Sequence, residues 1–149
     1  MQTHLKSIPP TQPQLALRHQ ALKWLAIVAV AFGLVTVVSG GRALFGSQEM
    51  RTAVGHAVPF VLWFNFLSGF VYILSGGGLL TRRTWAVYAS LFIAASTLLV
   101  FGAFGVHVLG GGAYELRTVG AMTLRSLFWI AVAMVAFRKL PPPAPGPEV

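Results

Sequence analysis

The sequence predicts an all-α integral membrane protein, a bundle of four helices, from three observations. Four long apolar runs follow one another, charges are nearly confined to the connections between them, and Lys and Arg fall unequally on alternate connections. Hydrophobic residues are 56% of the 149 and charged residues 9%, too apolar a mixture for an ordinary soluble domain. The decisive measure is uninterrupted length, because a helix crossing the hydrocarbon needs roughly 20 mostly apolar residues.

Residues 1–20 include Pro9, Pro10 and Pro13 and are expected to be a disordered cytoplasmic tail. The first helix is expected over about 22–41, uncharged from Trp24 to Gly41. It follows 23 residues rich in Pro and Gln and precedes no Ala-x-Ala-like site, so it reads as a retained span, not a cleaved signal. The second helix, about 57–80, carries no charge, and the short GGGLLTRRT connection turns it back as an antiparallel hairpin into the third, about 85–109. The fourth, about 118–138, holds the one charge within the spans, Arg125. Residues 141–149, PPPAPGPEV, form a second Pro-rich tail, leaving 21–140 as one four-helix membrane domain. The triple glycines at 76–78 and 110–112 are expected to end helices.

Lys6, Arg18, Lys23, Arg82, Arg83, Arg138 and Lys139 would share one side of the membrane, against Arg42, Arg51 and Arg117 on the other. That excess places both termini in the cytoplasm, with Trp24 and Trp85 entering the bilayer at the inner headgroup level. The net charge of +8 is thereby a determinant of topology. With no basic stripe interleaved with aromatics, nucleic acid is not an expected partner. The absence of Cys excludes disulfides, thiolate metal sites and cysteine nucleophiles.

Lipid provides no hydrophobic drive between helices, so close approach along small residues has to hold them. Ala26, Ala29, Gly33, Thr36 and Gly40 share one face of the first helix, and Ala86, Ser90, Ala94 and Gly102, interrupted by Leu98, share one of the third.

Two of the three acidic residues, Glu49 and Glu115, occur in echoing stretches, GSQEMRTAVGH and GAYELRTVGAM. Each stretch is expected to open an even-numbered helix, which suggests two copies of a helical hairpin in parallel orientation. A Glu at a helix start meets the positive end of its dipole, while Arg stays at the interface. A structural clasp would pair Glu49 with Arg117 and Glu115 with Arg51.

Function is better sought where the halves differ. Arg125 lies deep in the fourth helix, where a cation is costly and faces the bundle interior, a partner or water. Asn65 reaches a similar depth and offers its guanidinium a carbonyl, and Trp129, one turn on, offers a cation–π face. With Glu115 these residues make a candidate ligand-binding set. His56, His107, Met50 and Met122 make a second candidate set, for a metal ion, with two facing histidines also suited to haem. No phosphate-binding loop and no nucleophile elbow occurs, and the spans hold no carboxylate, so no catalytic residue is assigned and no enzymatic activity is expected.

The blocks HVLGGGAYELRTVGAMTLRSLFW, residues 107–129, and VPFVLWFNFLSGF, residues 58–70, resemble small four-span inner-membrane proteins of bacteria. The resemblance implies a helical bundle in the bacterial cytoplasmic membrane and implies no activity. Two functions stay open. One is a non-enzymatic binding protein, linked or not to transport, with a polar pocket near the outer face. The other is a structural or accessory subunit that docks a membrane-protein partner or a second copy of itself.

Overall fold

A computed structural model describes residues 12–53, 55 and 57–140, with the side chains of residues 12–19 and Arg51 left undescribed. Five helices run in chain order: α1 (Gln12–Phe45), α2 (Gln48–Thr52), α3 (Pro59–Leu80), α4 (Thr84–Leu109) and α5 (Leu116–Lys139). No strand occurs among the described residues. All but α2 are long and apolar enough to cross a membrane, so the chain is a multi-pass bundle of four spans. The shortest, α3, is about 33 Å long at 1.5 Å per residue, enough for a hydrocarbon core of about 30 Å. The four spans pack as a ring in the order α1, α3, α4, α5, with α5 closing back on α1. One end of the bundle carries the connections 46–58 and 110–115, and the other the short turn 81–83.

The elements depart from expectation in three places, each with a local cause. α1 begins at Gln12, so residues 12–20 continue the helix where a tail was expected. Pro13 sits in its first turn, where a missing amide is harmless, and Gln, Leu, Ala and Arg propagate it. Gly76, Gly77 and Gly78 lie inside α3, not at its end, whereas Gly110 caps α4 and Gly111, at φ +83°, takes the left-handed turn after it. The echoing stretches differ too. Glu49–Thr52 belong to the separate five-residue α2, while Leu116–Thr118 run directly into α5. Pro59 explains the difference: it starts α3 at its first position and holds Val58 extended at ψ 117°, so no helix can run through the first copy.

The closest pairing is α1 with α3, made by glycines in both helices. A β-carbon at Gly33 would lie 2.8 Å from the Gly69 carbonyl oxygen, and one at Gly69 would lie 3.0 Å from the Val37 amide nitrogen. A turn or two further on, a β-carbon at Gly76 would lie 2.9 Å from the Ala26 carbonyl oxygen. The backbones therefore touch directly over a long antiparallel crossing. The stripe expected on α1 is buried throughout: Ala26, Ala29, Gly33, Thr36 and Gly40. On α4 the buried line is Ala86, Ser90, Ile93, Ala94, Thr97 and Phe104, while Leu98 and Gly102 face outward. The expected stripe holds for three residues and then follows the helical repeat through Thr97. A hydroxyl pair, Ser75 and Ser90 at 3.2 Å, links α3 and α4, with Ser90 donating to the Ala86 carbonyl at 2.8 Å.

The core forms two apolar clusters. Val58, Val61, Phe104 and Met122 pack near the 46–58 end. A larger group including Ala26, Tyr72, Ile93, Trp129 and Val132 fills the other half. On α3, α4 and α5 the residues between the clusters are polar: Asn65 and Ser68, Thr97, and Arg125 with Ser126.

Because the obstacles at Gly33 and Gly69 are backbone atoms, Gly33→Ala and Gly69→Ala should each destabilise the bundle by about 1–3 kcal/mol. A β-carbon at Gly102 meets nothing within 4 Å. Gly102→Ala should accordingly stabilise by about 0.5–1 kcal/mol through backbone entropy. Reversible unfolding in mixed micelles measures all three.

Candidate functional site

Arg125 sits on the inward face of α5 and is 7% exposed. Its Nη1 donates to the Asn65 Oδ1 on α3 and contacts the Met122 Sδ at 3.8 Å. The guanidinium lies 5.6 Å from the Phe32 ring centroid and 6.0 Å from that of Tyr72. Phe32 and Tyr72 stack on each other with planes 4° apart, so α1 and α3 together present an aromatic platform to the cation. Tyr72 in turn packs against Trp129, centroids 4.7 Å apart, and Trp129 is fully buried. The cation–π partners are thus Phe32 and Tyr72, and Trp129 stands behind Tyr72.

The electrostatics of this layer are one-sided. The chain has three carboxylate side chains, Glu49, Glu115 and Glu148, and none lies within a span. Glu115 immediately precedes α5, so ten residues, or about 15 Å of helix, separate it from Arg125. Buried polar atoms in and around the layer without a hydrogen-bond partner are Arg125 Nε, Trp129 Nε1 and Thr36 Oγ1, while the Tyr72 and Thr97 hydroxyls lie beside each other. The acceptors here are engaged, Asn65 Oδ1 and Met122 Sδ by Arg125, and the Met122 carbonyl by Ser126 at 2.8 Å. Two of the atoms left over, Arg125 Nε and Trp129 Nε1, can only donate, so they cannot satisfy one another.

Sequence reasoning brought Asn65, Arg125 and Trp129 to this layer but missed Phe32, Tyr72 and Thr97. A signal for Tyr72 was present: Asn65, Ser68 and Tyr72 are spaced by three and four, which puts them on one face of α3. Tyrosine in an apolar run carries no mark that separates this role from ordinary packing.

The candidate metal residues occupy separate surroundings. Met122 is fully buried beside Arg125, whereas Met50 is 47% exposed and lines an open groove along α1 with Leu34, Val38 and Ala53. His107 is exposed in the last turn of α4, its ring set edgewise to Phe60 and its Nε2 3.4 Å from the Ala113 carbonyl. His56 lies outside the described residues. Among the described residues no group of three His, Cys, Asp or Glu could hold a metal ion.

At the 46–58 end, Arg117 Nη2 donates to the Ala53 carbonyl at 2.6 Å. Gly55, at φ +66°, packs so closely on Glu115 that a β-carbon there would overlap its carboxylate. The Glu115 and Arg117 side chains at the start of α5 thus meet the backbone of the first long connection. Among the described residues Glu49 and Arg117 form no ion pair, and the Arg51 side chain lies outside them.

Fold and site together define an integral, multi-pass helical membrane protein with an arginine-centred polar layer in its core. No protein-family model, curated protein or solved structure matches the chain.

Asn65→Leu should destabilise the bundle by about 2–4 kcal/mol, because it leaves a buried cation without its acceptor. Asn65→Leu combined with Arg125→Leu should recover that loss and end at or above wild-type stability, since an apolar pair of similar volume carries no desolvation cost. The same micellar unfolding measurement checks both.

Proposed function

We propose that the chain is a membrane-embedded binding protein whose Arg125 layer takes a small ligand rich in hydrogen-bond acceptors. One observation carries the reading: a nearly fully buried arginine has an unpartnered Nε and no carboxylate in any span to neutralise it. A charge in that position is expensive, and in spans such residues mark ligand or ion pathways. The layer draws on all four spans, which is how bundles build internal sites. It lies deeper than a pocket at the outer surface, since Arg125 is nine residues, or about 14 Å, into α5. The excess of Lys and Arg at the 81–83 end supports a cytoplasmic location for that end and for both termini. With the resemblance of residues 58–70 and 107–129, it supports a bacterial inner membrane. No residue of the layer has the paired acid and base that catalysis would use, and the reading is non-enzymatic.

The test is a thermal-unfolding screen of the purified full-length chain against small anions, neutral carbonyl compounds, divalent metals and organic cations. Acceptor-bearing compounds should raise the midpoint by about 5 °C or more at a hundredfold excess over Kd. The rise should vanish in Arg125→Gln and persist in His107→Ala. Stabilisation by a metal and its loss in His107→Ala would move the site to the 110–115 end. A chain that responds to nothing and co-purifies with a fixed partner protein would instead be an accessory subunit.

A further inference from the structure

Resting on that reading, we infer that the ligand is a monovalent anion held by Arg125 and Trp129. The argument is an inventory of donors, acceptors and charge. The permanent charge in the layer is one guanidinium, and the spans supply no acid. In a low-dielectric interior a single negative charge neutralises it, whereas a dianion leaves the same desolvation problem with opposite sign. A cation adds repulsion.

Hydrogen bonding points the same way. Arg125 Nε and Trp129 Nε1 are buried donors without acceptors, on side chains 7% and 0% exposed. Tyr72 links them: its ring lies 6.0 Å from the guanidinium carbon and 4.7 Å from the Trp129 centroid. Its own hydroxyl is buried beside the hydroxyls of Ser68 and Thr97, with which it can share hydrogen bonds, so the two N–H donors are the ones left over. Asn65 strengthens the bias. Its Oδ1 is taken by Arg125, so what it has left to give is its amide N–H pair. A neutral carbonyl compound would accept some of these bonds but would leave the guanidinium charge uncompensated. An anion accepts them and cancels the charge.

The test uses the full-length chain in detergent with ¹⁵N-labelled indoles, the Trp129 resonance being assigned by its loss in Trp129→Phe. Ionic strength is held with gluconate, a monovalent anion whose six-carbon chain is too large for the buried layer, while chloride, bromide or nitrate is titrated in. The Trp129 indole N–H should shift saturably with each monovalent anion and not with sulfate, and the same anions should raise the unfolding midpoint. Trp129→Phe should weaken that stabilisation about tenfold or more in apparent Kd, the loss expected for one buried hydrogen bond to a charged group. Arg125→Lys, which keeps the charge and removes the fork, should also weaken it. Stabilisation by a neutral carbonyl compound such as menadione, with no response to the anions, would overturn the inference and leave the binding reading intact. A Trp129 resonance unmoved by every compound, with no stabilisation, would mean that internal water alone fills these bonds and would end both readings. Equal shifts with sulfate and gluconate would reduce the effect to ionic strength and overturn the inference.

Discussion

The contact on which the rest of the structure depends is the one between the backbones of α1 and α3. Apolar side chains gain nothing by leaving lipid for a helix surface, so packing and polar contacts have to hold the bundle. Gly33 and Gly69 remove the side chains that would keep two helices apart. Their neighbours then follow. Phe32 adjoins Gly33 and Tyr72 is three residues beyond Gly69, so backbone contact at the glycines brings these two rings into a stack. That stack is the surface under Arg125. The close approach of two glycines is thus connected, through two nearby rings, to the placement of the buried charge.

The parts legible in the sequence were those governed by continuous patterns. Four spans followed from apolar length, and the α1 face from small residues spaced by three and four. The meeting of Asn65 with Arg125 followed from matched depth and the need of a buried cation for an acceptor. Legibility failed where one local feature has two physical uses. Glycine serves helix ends and close helix contacts equally, and Gly78 is used for the second: a β-carbon there would lie 2.7 Å from Ala86 and from Trp85. The repeated Glu-x-Arg-Thr carries the same local chemistry in both copies, yet Pro59 beyond the first copy makes it a separate short helix. Trp129 was placed in the right layer with the wrong neighbour, because helical spacing gives the face of a side chain and not the rotamer of Arg125. Rings on α1 and α3, remote in sequence, reached the guanidinium first.

The division of the core explains why the polar layer survives inside an apolar bundle. Each cluster is closed by large side chains, Phe104 and Met122 on one side and Tyr72 and Trp129 on the other. Arg125 lies between them, and its head meets Asn65, Met122 and the rings. This arrangement solves solvation only in part. Two bonds to neutral acceptors and two ring faces are a weak substitute for a carboxylate.

A bundle selected for stability alone would have had simple remedies. A leucine or methionine pair at positions 65 and 125 would fill the same space at no electrostatic cost, and a single Asp or Glu on the facing turn of α3 would have neutralised the charge from within. The chain has neither, and it adds a buried indole whose N–H goes unmatched by any side chain. Two N–H donors without acceptors, Arg125 Nε and Trp129 Nε1, and a cation without an anion are deficits of the same sign, gathered within about one turn of α5.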